Sequence, residues 1–180
     1  MIGVLVSGEG SNLQALLDQG VPVACVASNR REARALARAE AAGVPSAVFA
    51  LGDYASRDNR DSAMADWLES NGVELVVLAG YMHVLRPCFL DRFPGRVINV
   101  HPALLPQFPG VHAIEDALSA GVPVTGATVH YVDEGVDTGN VIVQREVQVL
   151  DGDTVETLGA RIQAVEHELL PTVVRELSAS

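Results

Sequence analysis

The chain has 180 residues, of which 48% are hydrophobic, so it is long and apolar enough for one folded domain and not a disordered segment. Its 12 basic and 23 acidic residues give a formal net charge of −11, which disfavours nucleic acids and acidic membranes as partners. Two cysteines without a CxxC pair, no signal-type segment and no apolar run of about 18 residues predict a cytoplasmic protein with two buried, reduced thiols.

The first half of the chain alternates between apolar runs typical of buried strands and runs with helical periodicity. Strands are predicted over residues 1–7, 21–27, 46–49 and 73–79. Helices are predicted from Ser11 or Asn12 onward, over 31–42 and over 54–70. This alternation predicts an α/β fold with a mostly parallel central sheet and helices on both faces.

A glycine-rich turn, Gly-Glu-Gly-Ser-Asn at residues 8–12, joins the first predicted strand to a helix N-terminus. Free backbone N–H groups and the helix dipole favour an anion there, typically a phosphate. The third glycine of a dinucleotide fingerprint and the Walker lysine are both absent. The turn therefore predicts either a phosphate site or a plain βα turn without a ligand.

Residues 80–87 form a mixed apolar segment after the strand at 73–79. At the carboxyl end of a strand, such a segment can line a pocket for a flat, partly apolar ligand. The alternative is a connector that packs Met82 and Leu85 into the core.

The next predicted strand covers residues 96–101 and ends at Pro102, which cannot donate to a sheet ladder. Asn99 and His101 lie two positions apart, so both point to one side of an extended chain. Asn offers a neutral donor to a developing oxyanion, and His offers a proton near neutral pH. This pair predicts a catalytic centre, unless Asn99 only caps a turn beside an ordinary histidine.

The second half of the chain changes pattern. A short helix is predicted over 113–120, and strands over 124–132 and 141–149 flank an acidic loop at 133–139. Because that loop is short enough for a hairpin, the sheet is expected to become partly antiparallel here.

The final helix is predicted to begin with Asp153 as N-cap and Glu156 at N3. Its buried stripe is predicted to consist of Val155, Leu158, Ile162, Val165 and Leu169. Gln163 and Glu166 lie three positions apart on a neighbouring face, where they can reach one ligand together or simply be solvated.

The segment 99–106, Asn-Val-His-Pro-Ala-Leu-Leu-Pro, and the downstream Asp137 resemble the folate-dependent formyltransferases. The turn at 8–13, the segment 107–113 and Glu166 with its following histidine are similar to the branch of that family that formylates glycinamide ribonucleotide. The resemblance implies a single-domain, Rossmann-like formyltransferase fold over residues 1–180. The N-terminal half would bind the substrate phosphate, and the C-terminal half would carry much of the folate and catalytic site.

The resemblance also implies a role for individual residues. The catalytic residues would be Asn99, His101 and Asp137, the carboxylate of Asp137 pairing with the imidazolium. The substrate-binding residues would be Gly10, Ser11 and Asn12 at the phosphate and Gln163 and Glu166 at the ribose and glycinamide end. The folate-binding residues would be Arg57, Met82, His83, Val84, Leu85, Asn99 and Val136. The apolar walls of the folate pocket would include Leu78, Leu90 and Val97, and the site would be braced by Thr128 and His130.

The implied co-substrate is 10-formyltetrahydrofolate and the implied substrate glycinamide ribonucleotide, with no metal, no nucleic acid or membrane partner, and a monomer or weak homodimer. Two residues depart from the family pattern. His83 stands where an arginine is common, which predicts weaker or more pH-dependent recognition of the folate tail. Gln107 stands where a lysine is common, which predicts weaker attraction of the phosphate. Three alternatives stay open: methionyl-tRNA formyltransferase, formyltetrahydrofolate hydrolase and a non-catalytic nucleotide-binding module.

Overall fold

A seven-stranded sheet between two layers of helices forms the centre of the computed structural model, which describes residues 1–179. The strands are β1 Ile2–Val6, β2 Val23–Ser28, β3 Ser46–Val48, β4 Leu75–Leu78, β5 Val97–His101, β6 Val124–Tyr131 and β7 Val141–Gln148. The helices are α1 Ser11–Asp18, α2 Arg34–Ala41, α3 Arg57–Ser70, α4 Pro87–Leu90, α5 Ala113–Ala120 and α6 Val155–Ser178, with one 3₁₀ turn at Leu51–Asp53.

The strand order across the sheet is β3-β2-β1-β4-β5-β6-β7. The first five strands in that order are parallel, whereas β6 pairs antiparallel with both β5 and β7. The strand order reverses between β1 and β4, so the carboxyl ends of β1, β4 and β5 lie side by side. The predicted fold class, including its partly antiparallel C-terminal half, is confirmed.

Two apolar cores lie on opposite faces of the sheet, because side chains alternate along each buried strand. In β1, for example, Val4 and Val6 face the core under α1, α2, α5 and α6, and Leu5 faces the core under α3 and α4. Gly3 allows α3 to approach closely, since a Cβ there would lie 2.8 Å from a methyl carbon of Leu68. The continuous apolar runs of β1 and β4 thus fill both cores.

Several local predictions are wrong in detail. Helix α1 is capped by Gly10, not by Ser11 or Asn12, because this glycine adopts a φ of 75°. Helix α6 is capped by Thr154, whose side chain accepts from the N–H of Thr157, because Asp153 instead accepts from Leu150 N and Arg161.

Exposure corrects two further predictions. Val155 in the predicted buried stripe is 36% exposed, since it is the first residue of α6. Of the two thiols predicted to be buried, Cys25 is buried but Cys88 is half-buried on the short helix α4, which the sequence did not predict. Within residues 1–179, no helix is both long and apolar enough to cross a membrane.

Candidate active site

A cavity of about 590 Å³ opens at the carboxyl ends of β1, β4 and β5. Its wall is formed by residues 8–12, 78–85, 99–102 and 135–138, and by side chains of α5 and α6. The strand order reverses here, and open α/β sheets bind their ligands at such points. The location agrees with the edge of the sheet at which Asn99 and His101 were predicted to lie.

His101 sits between two oxygen atoms at the floor of this cavity and is only 4% exposed. Its Nδ1 lies 3.5 Å from Oδ2 of Asp137, and its Nε2 lies 2.8 Å from the carbonyl oxygen of Phe108. Because both oxygens only accept hydrogen bonds, a doubly protonated ring would be satisfied at both nitrogens. The geometry therefore suits an imidazolium held by a carboxylate.

Asn99 lies beside His101 on β5 and contacts His130 on the paired strand β6. The amide nitrogen of Asn99 is 3.2 Å from Nε2 of His130, and Nδ1 of His130 is 2.9 Å from the carbonyl oxygen of Tyr131. Burial lowers the pKa of His130, so its ring is neutral at pH 7. With the proton on Nδ1, Nε2 accepts one N–H of Asn99, and the second N–H can serve a ligand.

Two residues in contact with His101 have a strained backbone. Phe108 and Asp137 have φ values of 52° and 54°, and they are the non-glycine residues with positive φ among residues 1–179. Such conformations cost about 1–3 kcal/mol each and concentrate at functional sites. The strain directs the Phe108 carbonyl and the Asp137 carboxylate at one ring, and Oδ2 of Asp137 also accepts from Gly110 N at 2.8 Å.

The loop that carries Asp137 depends on glycine for space. A Cβ on Gly139 would lie 1.7 Å from the carbonyl oxygen of Tyr131, and one on Gly135 would lie 2.0 Å from Oγ1 of Thr138. Both positions are glycine because neighbouring atoms lie too close for a Cβ. The residue of this loop with a positive φ is Asp137.

The opposite end of the cavity brings the glycine turn against helix α6. Nε2 of Gln163 donates to Oγ of Ser11 at 2.8 Å, and Nδ2 of Asn12 donates to Oε2 of Glu166 at 3.3 Å. The Oδ1 atom of Asn12 is buried without a partner. Burial raises the pKa of Glu166 to about 7, although the hydrogen bond from Asn12 opposes this shift. The residues predicted to bind substrate therefore meet at one place.

Gly10→Ala should disrupt this turn. A Cβ at residue 10 would lie 2.5 Å from Cβ of Ala35, and the positive φ alone costs about 1–2 kcal/mol with a side chain. We expect a loss of unfolding free energy at least that large, measured by urea denaturation, together with weaker substrate binding. Gly8→Ala is the matched control, because a Cβ there meets no atom within 4 Å. Equal stability of the two variants would contradict this account of the turn.

Glu166→Gln should change how stability depends on pH. The pKa of Glu166 is raised in the folded chain from 4.5 to about 7, so its contribution to stability is complete below pH 4.5 and is lost as pH rises through 7. Gln keeps the acceptor for Asn12 without that titration, so we expect the variant to be more stable than wild type at pH 8, by the order of 3 kcal/mol.

Thermal unfolding at pH 5 and pH 8 measures this difference. Glu168→Gln on the same helix is the control, because Glu168 is exposed and pairs with Arg145. An identical pH profile for wild type and Glu166→Gln would refute the raised pKa.

The segment of residues 82–85 lines a third part of the cavity together with Leu78 and Val136. It is called here the folate segment, after the role that the sequence resemblance implies for it. Two predicted wall residues do not line the cavity: Val97 is 2% exposed in the core under α3, and Leu90 packs against that core. Both side chains point away from the cavity, because β5 and α4 place them on the side of α3. Gln107 is exposed outside the cavity.

Arg57 also lies outside the cavity lining, but its Nη2 donates to the carbonyl oxygen of Val84 at 3.0 Å. The ring of His83 is half-buried and contacts the side chains of Arg60 and Asn29. Thr128, predicted as a brace, donates to the carbonyl oxygen of Ala103 at 2.7 Å.

Sequence reasoning missed several polar residues of the site: Ser7, Asn29, Arg60, Asp61 and the main chain of Phe108. The first four are buried side chains beneath the folate segment. Arg60 and Asp61 had no visible signal, because charged residues on a helix normally indicate a solvated face. The Pro-Gly pair after Phe108 indicated an irregular loop, but not the direction of its carbonyl.

An amide, an imidazole and a carboxylate thus converge in a cavity that ends at a helix N-terminus. These groups can stabilise an oxyanion and bind an anion, so the site is that of a group-transfer enzyme. The chain matches the model of the formyl transferase family over residues 1–174, and it belongs to that family. The family predicted from the sequence is confirmed.

The chain is similar to relatives of two kinds. It is 50% identical over 179 residues to phosphoribosylglycinamide formyltransferase of Mycobacterium tuberculosis, covering 97% of this chain and 83% of the relative. It is 44% identical to the trifunctional purine biosynthetic protein adenosine-3 of Chironomus tentans, of which it spans 13%. The crystal structure of phosphoribosylglycinamide formyltransferase from Streptococcus pneumoniae superimposes with a TM-score of 0.95 at 45% identity, covering 98% of this chain and 97% of that one.

Proposed function

We propose that this chain transfers the formyl group of 10-formyltetrahydrofolate to the amine of glycinamide ribonucleotide, a step of purine biosynthesis. The observation that carries the proposal is the contact of His101 with Asp137 beside Asn99, in the same cavity as the turn at residues 10–12. Family membership and the similarity to the two phosphoribosylglycinamide formyltransferases named above support this substrate pair.

The reaction would proceed by direct attack. The substrate amine forms a bond to the formyl carbon, and the carbonyl oxygen becomes a tetrahedral oxyanion. Asn99 donates its free N–H to that oxyanion, and protonated His101 adds positive charge. The attacking nitrogen, which is cationic after the attack, releases one proton to water. The bond from the carbon to the folate nitrogen then breaks, and this nitrogen takes the proton on Nε2 of His101 that the Phe108 carbonyl had accepted; water then returns a proton to the ring. Asp137 holds the imidazolium in the orientation required.

The ligands would occupy the two ends of the cavity. The phosphate would bind the N–H groups of residues 10–12 at the start of α1, and the ribose hydroxyls would donate to Glu166 beside Gln163. The folate would lie against the folate segment and Val136, with Arg57 near its tail. The N-terminal half then binds the phosphate, and the C-terminal half supplies Asn99, His101 and Asp137.

The proposed reaction needs no metal, because the oxyanion and the leaving nitrogen each have a protein donor. The proposal also includes a cytoplasmic location, supported by the unpaired thiols of Cys25 and Cys88, and a monomer or weak homodimer. Sedimentation at micromolar concentration would test the last point.

A formyl-transfer assay with three acceptors tests the function. Purified protein and 10-formyltetrahydrofolate are incubated with glycinamide ribonucleotide, with methionyl-tRNA or with water only. We expect formylation of glycinamide ribonucleotide alone. Release of formate in the water control would indicate a hydrolase, formyl-methionyl-tRNA would indicate the tRNA enzyme, and no turnover in any arm would favour a binding module.

A further inference from the structure

The folate segment is held at its N-terminal end by a buried polar pair. The backbone N–H of Met82 donates to Oγ of Ser7 at 2.9 Å, and that hydroxyl lies 2.6 Å from Oδ1 of Asn29. The amide nitrogen of Asn29 is in turn 3.3 Å from Nε2 of His83. Ser7 and Asn29 therefore hold the main chain at Met82 and pack against the ring of the next residue, His83.

A buried ion pair holds the other end. Nη1 of Arg60 lies 3.0 Å from Nδ1 of His83, and Nε of Arg60 donates to Oδ1 of Asp61 at 2.5 Å. Oδ2 of Asp61 accepts the backbone N–H of Arg86 at 2.9 Å, directly after the segment. Hydrogen bonds to buried side chains thus fix the main chain at both ends of the segment, and the ring of His83 lies between the two groups.

The ring of His83 is a neutral acceptor in this network. A guanidinium can only donate, so Nδ1 of His83 must accept from Arg60 and the ring carries its hydrogen on Nε2. The amide nitrogen of Asn29 is also a donor, so its 3.3 Å approach to Nε2 is a packing contact and not a hydrogen bond. Burial and the positive charges of Arg60 and Arg57 also lower the pKa of His83. The cation at this place is therefore on helix α3, whereas the family commonly has an arginine at position 83.

The ion pair between Arg60 and Asp61 is not expected to add much to the free energy of unfolding. Arg60 and Asp61 are both 0% exposed, and Nη2 of Arg60 has no partner. Burying two charges costs desolvation, so replacing such a pair with apolar residues is often neutral or stabilising. What the pair provides is direction: it offers a donor to His83 and an acceptor to Arg86 N, each at a defined position.

We propose that Arg60 and Asp61 are positioning residues, which hold the folate segment in its binding shape and thereby set the affinity for the folate co-substrate without touching it. The proposal rests on the proposed function, since it concerns the folate end of that same cavity.

The first test removes both charges and keeps the acceptor for Arg86 N. In Arg60→Met/Asp61→Asn, His83 loses its donor, and we expect KM for 10-formyltetrahydrofolate to rise about tenfold, as the loss of one buried hydrogen bond implies. KM for glycinamide ribonucleotide and kcat at saturating folate should stay close to wild type. Arg92→Met is the matched control, because Arg92 pairs with exposed carboxylates of α3 and does not contact the segment.

The second test moves the cation back into the segment. Arg60 lies between His83 and Asp61, so in Arg60→Met/His83→Arg we expect the arginine at position 83 to pair with Asp61 and the folate KM to return to within about threefold of wild type. If Arg60→Met/Asp61→Asn, the charge-neutral variant, does not fold, then Arg60→Met/His83→Arg decides alone. A wild-type folate KM in it supports the proposal, and a folate KM raised about tenfold overturns the proposal. A folded charge-neutral variant with a wild-type folate KM also overturns it.

Direct measurements separate this proposal from the proposed function. Calorimetric titration with 5-formyltetrahydrofolate gives the folate Kd without turnover, and amide hydrogen exchange reports the N–H groups of Met82 and Arg86. We expect weaker binding and faster exchange at the Arg86 N–H in Arg60→Met/Asp61→Asn, because the neutral amide oxygen at position 61 accepts more weakly than the carboxylate does. If wild type neither binds this folate nor formylates glycinamide ribonucleotide, the proposed function fails; if wild type does both and the variant matches it, only the positioning role fails.

Discussion

Asn99→Ala should fold normally and lose about 10²–10³-fold in kcat, because loss of one oxyanion donor typically costs about 3–4 kcal/mol of barrier. The amide of Asn99 is oriented by the neutral ring of His130, whose Nε2 lies 3.2 Å from the amide nitrogen. Orientation before the reaction is what makes such a donor effective. Steady-state kinetics with both substrates measures the loss, and circular dichroism checks the fold.

Asn140→Ala is the control for this experiment, since Asn140 is exposed and does not line the cavity. Asn99→Asp adds a second comparison, because it keeps the size of the side chain and replaces the donor by a negative charge. We expect it to be at least as impaired as Asn99→Ala. Wild-type turnover in a folded Asn99→Ala variant would remove the oxyanion role.

Asp137→Asn should lower kcat by a factor of at least about 10², with little change in the binding of glycinamide ribonucleotide. The substitution keeps an oxygen that can accept from Gly110 N, but it removes the charge 3.5 Å from Nδ1 of His101. Without that charge, the ring of His101 loses the carboxylate that orients it. The ¹⁵N resonances of the His101 ring report whether Nδ1 keeps its proton.

The competing interpretation makes Asp137 a turn residue, because aspartate is common in turns. Asp133→Asn tests this, since Asp133 lies in the same loop and accepts from Gly135 N and Thr138 without contacting His101. We expect Asp133→Asn to affect loop stability more than turnover. If Asp137→Asn behaves in the same way, with unchanged ring resonances and normal kcat, the pairing is refuted.

Much of the fold could be predicted from local patterns. The apolar runs of β1 and β4, the helical spacing of α5 and the hairpin around the acidic loop all depend on neighbours in sequence, so they were correct to within a few residues. The start of α6 was wrong because the side chain of Asp153 binds other partners, and the start of α1 was wrong because Gly10 adopts a positive φ. The Asn-x-His spacing likewise located the site, because β-strand geometry alone places both side chains on one face.

The sequence by itself determined the alternation of strands and helices, the glycine turn at a helix N-terminus and the pair on β5, since each follows from backbone periodicity and residue chemistry. Only the tertiary structure decided which distant groups meet: Asp137 at His101, Glu166 at Asn12, and the Phe108 carbonyl at the ring. It also decided that Arg60 and Asp61 are buried together. These contacts depend on strand order, loop conformation and desolvation, which are properties of the packed chain and not of any local stretch of it.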